Sequence, residues 1–339
     1  MMIGLTNFDS AAHRHPAKDS MKRRLALTAA ASLIALLGAT SVSANDYPTH
    51  AIEIIVPFGA GGGTDALARA FADNARKHLA QAFVINNKPG ASGVIGWSEV
   101  VNSKPDGYKL ALMTVELTIL PHLGLSKFGV EEFVPIARLN ADPAAITVKA
   151  DAPWNTIEEF IAAAKKANGE TKVGNSGNGS IWHLAAASVE DKTGAKFSHI
   201  PYQGAAPAVL SLLGGHIDAV AVSPAEVAPH LASGKLKMLA VMADQRLKAF
   251  EKVPTLKERG IDVSLGAWRG LGAPKNTPKD IVDVLKVVAQ KTMAEPQMRE
   301  AMDKLALGYA YGDDAAFRAT MARDNDGFKV LIPKLNLKP

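Results

Sequence analysis

The most constraining feature of this chain is a junction that recurs three times: a short apolar run, a turn dense in small residues, then a stretch with helical apolar spacing. The first runs Pro57-Phe58-Gly59-Ala60-Gly61-Gly62-Gly63-Thr64-Asp65, the second Gly174-Asn175-Ser176-Gly177-Asn178-Gly179-Ser180, and the third Tyr202-Gln203-Gly204-Ala205-Ala206-Pro207. Strand, tight turn and helix in that order specify an α/β architecture, in which strands lie side by side and the connecting helices cover their faces. Apolar runs predict strands at 51–56, 83–86, 108–114, 146–149, 172–174, 199–201, 219–222, 236–240 and 267–273, in mostly parallel sheets. Between them, Leu67, Ala70, Phe71, Ala75 and Leu79 form one core-facing helical stripe. Thr156-Ile157-Glu158-Glu159 and Thr255-Leu256-Lys257-Glu258 read as capping boxes, and Thr277-Pro278-Lys279-Asp280 as a helix start with Pro at its first position. No Pro, Gly or Ser linker separates the two apparent lobes, so the chain is expected to cross between them by structured segments that act as a hinge. The expected division is 45–143 with 247–339 in one lobe and 144–246 in the other.

The N-terminus fixes the compartment. From Met21 the chain has a basic stretch at Lys22, Arg23 and Arg24, an apolar run from Leu25 to Leu37, and Val42-Ser43-Ala44, which reads as a secretory signal peptide at 21–44. Residues 1–20 precede a better start at Met21. Removing 1–44 takes 38 Lys and Arg to 33 and 33 acids to 31, so the net charge falls from +5 to +2. That balance, with few aromatics and no charge runs, leaves no nucleic-acid footprint. Cysteine is absent, which excludes disulfides, thiolate chemistry and a lipid anchor at the cleavage site. A free, monomeric periplasmic protein is expected, with no metal and no cofactor.

Each glycine-rich turn lets backbone amides approach a ligand, with the positive end of a helix behind them. The first lacks the Lys-Ser/Thr of a phosphate loop and has Thr64 where a dinucleotide fingerprint needs its third Gly. The second offers Ser176 and Ser180 hydroxyls but no Gly-x-Ser-x-Gly elbow, since Asn178 stands two residues after Ser176. Three such turns at the carboxyl ends of strands define a carboxylate-binding cleft. A hydrolase with Ser176 as nucleophile and His183 as base is the rival enzyme reading, weakened by the lack of an acidic orienter between them.

The segments PFGAGGGTD, GNSGNGS, YQGAAPAVLSLLGGHIDA and VPTLKERGIDV with WRGLGAP resemble, in order and over essentially the whole mature chain, the substrate-binding proteins of tripartite tricarboxylate transporters, the Bug receptors. The resemblance implies a two-lobed type II periplasmic-binding fold, no catalysis, and delivery of a small organic acid or amino acid to a two-component integral membrane permease. A sensor kinase as the downstream partner is the alternative. Ligand contacts implied by motif are Phe58, Ala60, Gly61 and Thr64, then Ser176, Asn178, Gly179 and Ser180, then Tyr202 with Gly204. Gly62, Asp65 and Ala205 join them from the turns themselves, Asp65 chiefly as a brace. Glu116, where many relatives carry a Ser/Thr-Thr-His stretch, and Glu226 in SPAEVAPH would repel a simple diacid. They are candidate specificity residues, one or both facing a cationic or hydroxyl-rich end of the ligand, and Trp182 is a further candidate that would line the pocket.

Overall fold

The computed structural model describes residues 47–335 and 337 of the 339. The expected signal peptide and leader at 1–44 lie outside them. All the named elements fall in the unit Pro48–Pro339.

A six-stranded sheet holds β1 (Ile52–Val56), β2 (Phe83–Asn87), β3 (Lys109–Thr114), β4 (Phe133–Pro143), β10 (Gly266–Pro274) and β11 (Tyr309–Gly312), in the order β11-β4-β10-β3-β1-β2. A five-stranded sheet holds β5 (Ala145–Lys149), β6 (Lys172–Asn175), β7 (Ser198–Pro201), β8 (Ala219–Val222) and β9 (Leu236–Val241), in the order β7-β6-β8-β5-β9. The α/β two-lobed expectation holds. The sheets, however, are mixed: among the described residues four of the nine strand pairings are parallel. The parallel pairs are those that helical crossovers join, whereas β10 runs antiparallel between β3 and β4, and β5 antiparallel between β8 and β9.

The helices follow from their stripes and caps. α1 (Gly63–Ala75) buries Leu67, Ala68, Phe71, Ala72 and Ala75. α2 (Val94–Val101) anchors through Trp97, whose buried Nε1–H donates to Leu112 O at 3.1 Å. α3 (Ile157–Ala167) begins at the predicted Thr156 capping box, with both reciprocal bonds present. α4 (Ile181–Thr193) and α5 (Ala205–Leu213) start at the second and third turns, and α6 (Pro224–Ala232) follows β8. α7 (Lys279–Ala294) takes Pro278 as its N-cap, so the helix starts one residue later than predicted. α8 (Pro296–Lys304) and α9 (Asp314–Leu335) complete the chain. Thr255 and Glu258 also exchange their two predicted bonds, but cap only a short 3₁₀ turn at Lys257–Arg259.

The outward passage between sheets is short, and it is hydrogen-bonded to both ends of the longer return. β4 ends at Pro143 and β5 begins at Ala145; the return passes from Met242 to Leu265. There Ala144 N–H donates to Leu265 O (2.8 Å), Met242 N–H to Ala144 O (2.7 Å) and Leu265 N–H to Met242 O (3.1 Å).

Candidate functional site

The carboxyl ends of β1, β6 and β7 bring the three glycine-rich turns together, as the strand-end rule expects. Among the described residues, polar contacts tie elements of the six-stranded sheet to elements of the five-stranded one. Gly59 N–H donates to Gln203 O at 3.1 Å, and Ser92 Oγ to Asn178 O at 2.6 Å. Ile181 N–H donates to Glu116 Oε1 at 3.2 Å, and Arg269 Nη2 reaches Glu226 Oε1 at 3.4 Å. Gly59 and Gly204 need to be glycine for this approach. A Cβ on Gly59 would lie 3.1 Å from Gln203 O, and one on Gly204, which sits at φ +132°, would lie 3.3 Å from Gly59 N.

A cavity of about 20 Å³ lies there, room for roughly one water. Of the sequence candidates, Phe58, Gly62, Thr64, Ser176, Ala205, Glu116, Trp182 and Glu226 line it, joined by Arg269, Thr114 and the start of α4 at Ile181. The others do different work. Asp65 accepts from Gly61 N–H (2.9 Å) and Arg69 Nε (3.0 Å); burial pushes its carboxyl up, but these bonds hold it below the usual range. Asp65 thus braces the first turn, leaving Ala60 and Gly61 beside the cavity rather than in it. Ser180 Oγ is occupied as the N-cap of α4, accepting from His183 N–H, and Gly179 N–H donates to His183 Nδ1 at 3.1 Å. Asn178 and Tyr202 line a separate, more open pocket of about 300 Å³ with Ser92 and Leu125, and the Tyr202 hydroxyl donates to Ser211 Oγ.

Three groups facing the cavity retain hydrogen-bonding capacity. α1 has Gly62 as N-cap with no side-chain bond, and the Gly63 and Thr64 amides have no protein acceptor among the described residues. Ser176, only 4% exposed, has no partner for its Oγ. Arg269, with its side chain 2% exposed, donates from Nε to Thr64 Oγ1 (2.9 Å) and from Nη1 to Asp142 Oδ2 (2.6 Å), and still has donors free. Asp142 is further held by Asn140 Nδ2 and Gly308 N–H, both at 2.7 Å.

Two carboxylates enter from opposite sides. Glu116 sits just after β3, accepts from Thr114 Oγ1 and from Ile181 N–H, and is raised above the usual carboxylate range by burial, against those bonds and the pull of Arg269. Glu226, on α6, caps that helix through Ser223 N–H (2.7 Å). Burial pushes it up to about 7, against Arg269, with Asp142 adding to the rise.

Sequence reasoning missed Arg269 and Asp142. A lone Arg inside the apolar run Ala267-Trp268-Arg269-Gly270-Leu271 was the available signal, because a buried cation must find buried anions. The hydrolase reading fails on His183. Its Nδ1 is spent on Gly179 N–H, and burial with the neighbouring His199 depresses its pKa to about 4, while Glu190 pairs with His199 instead.

Two sheets whose strand ends close over a polar cavity, with free amides and a buried guanidinium, define a solute-binding protein of the periplasmic receptor type. The model of the tripartite tricarboxylate transporter family receptor matches residues 67–337, and the chain belongs to that family, one of periplasmic solute receptors and not of enzymes. Similar proteins include BugT of Bordetella pertussis, 34% identical over 73% of this chain and 77% of BugT. A TctC solute-binding protein from Polaromonas, solved without ligand, is 61% identical over 85% of this chain and 99% of its own, with a TM-score of 0.64. Rpa4515 of R. palustris, solved with adipate, is 25% identical over 86% and 99%, with a TM-score of 0.82.

Proposed function

We propose that this protein captures a small carboxylate-bearing solute in the cleft between its two lobes and delivers it to the two-component integral membrane permease of a tripartite tricarboxylate-type transporter. The observation that carries the reading is the convergence of unspent donors on one cavity: the Gly63 and Thr64 amides, the orphaned Ser176 hydroxyl and the Arg269 guanidinium. Hydrogen bonds to a charged group contribute roughly 1.5 to 3 kcal/mol each, so a few suffice for the about −8 kcal/mol of micromolar affinity after ordering costs.

That space is smaller than any such ligand, so capture requires the lobes to part. Movement would occur about the hydrogen-bonded passage at Ala144, Met242 and Leu265, with lobe boundaries at 143/144 and 246/247. The likenesses support two lobe arrangements in the family. At 61% identity the Polaromonas protein without ligand superposes less well than the 25% identical protein with adipate, the reverse of what divergence alone would give. Export through the signal peptide at 21–44, release without a lipid anchor, and action as a monomer complete the reading. Asn178 and Tyr202 would take part as the rim that meets Ser92 on closure.

A thermal-shift screen over organic acids and amino acids, followed by calorimetry on any hit, tests this. Ligand-dependent stabilisation without turnover is expected. Hydrolysis of esters with no stabilisation by any acid would refute it.

A further inference from the structure

The cleft contains two more carboxylates than its one cation can pair. Arg269 and Asp142 form a paired unit at 2.6 Å, with Asp142 fully supplied by Asn140 and Gly308. Glu116 and Glu226 remain, both buried: Glu116 is 2% exposed and the Glu226 side chain 3%. Arg269 reaches Glu226 only at 3.4 Å. Burial keeps both carboxyls raised above their usual range, as expected of charges whose compensation is incomplete.

Their placement matters as much as their number. Glu116 comes from the β3 side and accepts Ile181 N–H, the first amide of α4, so the positive start of that helix is already occupied by the chain's own carboxylate. One helix start of the pair is thereby spent. The other, at α1, is free, and it faces the orphaned Ser176 hydroxyl and Arg269. Glu226 reaches across from α6 to the same side, its Oε1 3.3 Å from where a Cβ on Gly63 would be. The cavity therefore offers one place for a ligand carboxylate and, next to it, two carboxylates in want of a cation.

We propose that the ligand is a compact zwitterion, its carboxylate taken by the α1 start, Ser176 and Arg269 and its ammonium by Glu116 and Glu226, and that the cleft rejects di- and tricarboxylates that carry no ammonium. This rests on the reading of the cleft as the ligand site. A second ligand carboxylate would find the α4 start filled and two like charges beside it. An ammonium supplies three donors where acceptor lone pairs are in excess.

The test is calorimetry on the mature wild-type chain with pairs that differ only in the amino group: aspartate against succinate, glutamate against glutarate, alanine against propionate. A zwitterion is expected to bind at least tenfold more tightly than its deaminated partner. In Glu116→Gln and Glu226→Gln, checked for folding by thermal melting, that ratio is expected to shrink at least threefold. Because the wild-type comparison stands alone, a variant that fails to fold does not rescue the proposal. Equal or tighter binding of succinate, glutarate or citrate overturns the zwitterion while leaving the receptor intact; no binding by any acid or amino acid overturns both.

Discussion

Replacing Glu226 by Gln should stabilise the ligand-free protein above neutral pH. The carboxyl is raised from 4.5 to about 7 by burial, so in the folded state it holds a proton across a window where the unfolded chain has released it. A raised carboxyl contributes stability that is complete below pH 4.5 and lost as pH rises through about 7. At about 1.4 kcal/mol per pH unit the full swing is about 3 kcal/mol. Gln keeps an acceptor for Ser223 N–H and the volume of the side chain, and Arg269 retains Asp142. At pH 8 the variant should therefore gain 1 to 3 kcal/mol, roughly 2 to 8 °C in Tm for a chain of this size. At pH 4.5, where wild type already carries the proton, the two should melt within about 1 °C. Calorimetric melts at both pH values decide it. A Tm lowered by the same amount at pH 4.5 and pH 8 would refute the reasoning, since it would mean that the Arg269–Glu226 pair outweighs its desolvation.

Arg269→Leu should have the opposite effect, because it strands Asp142 and Glu226 in a dry site; a loss of about 3 to 5 kcal/mol, read from denaturant unfolding, is expected. His183, depressed to about 4, stabilises the fold in its neutral form, so its contribution is present above pH 6.5 and lost as pH falls towards 4. His183→Asn, which keeps an acceptor near Gly179 N–H, should flatten the Tm profile between pH 6.5 and 4. Gly204→Ala forces a side chain to φ +132° and crowds Gly59 N, so it should cost about 1 to 2 kcal/mol and weaken ligand binding more than stability, by calorimetry. Thr156→Ala should cost about 1 kcal/mol through the lost capping box while leaving ligand affinity unchanged.

The βα units were legible because their signals are local. Ala219–Val222 matches the strand expected from its apolar run, and the Thr156 cap falls where hydroxyl and acid spacing place it. β4 was missed because Pro135, Arg138, Asn140 and Asp142 break its apolar pattern; in the fold Asp142 is buried as the partner of Arg269, Gly308 and Asn140 rather than of water. β11, α8 and α9 were also unread, and the antiparallel insertion of β10 depends on residues far apart in the chain. The glycine turns announced a cleft, but which of their groups remain free is a tertiary matter. Ser180 and Asp65 turned out to be spent on their own turns, whereas Ser176 was not.

A crystal structure of the protein with a calorimetrically confirmed ligand tests the central claim most directly. The account predicts the ligand carboxylate within hydrogen-bond reach of the Gly63 or Thr64 amide, Ser176 Oγ and Arg269, beneath the closed Gly59–Gln203 contact. A ligand bound in the open pocket beside Tyr202 and Leu125, with Ser176 and Arg269 untouched, would contradict it.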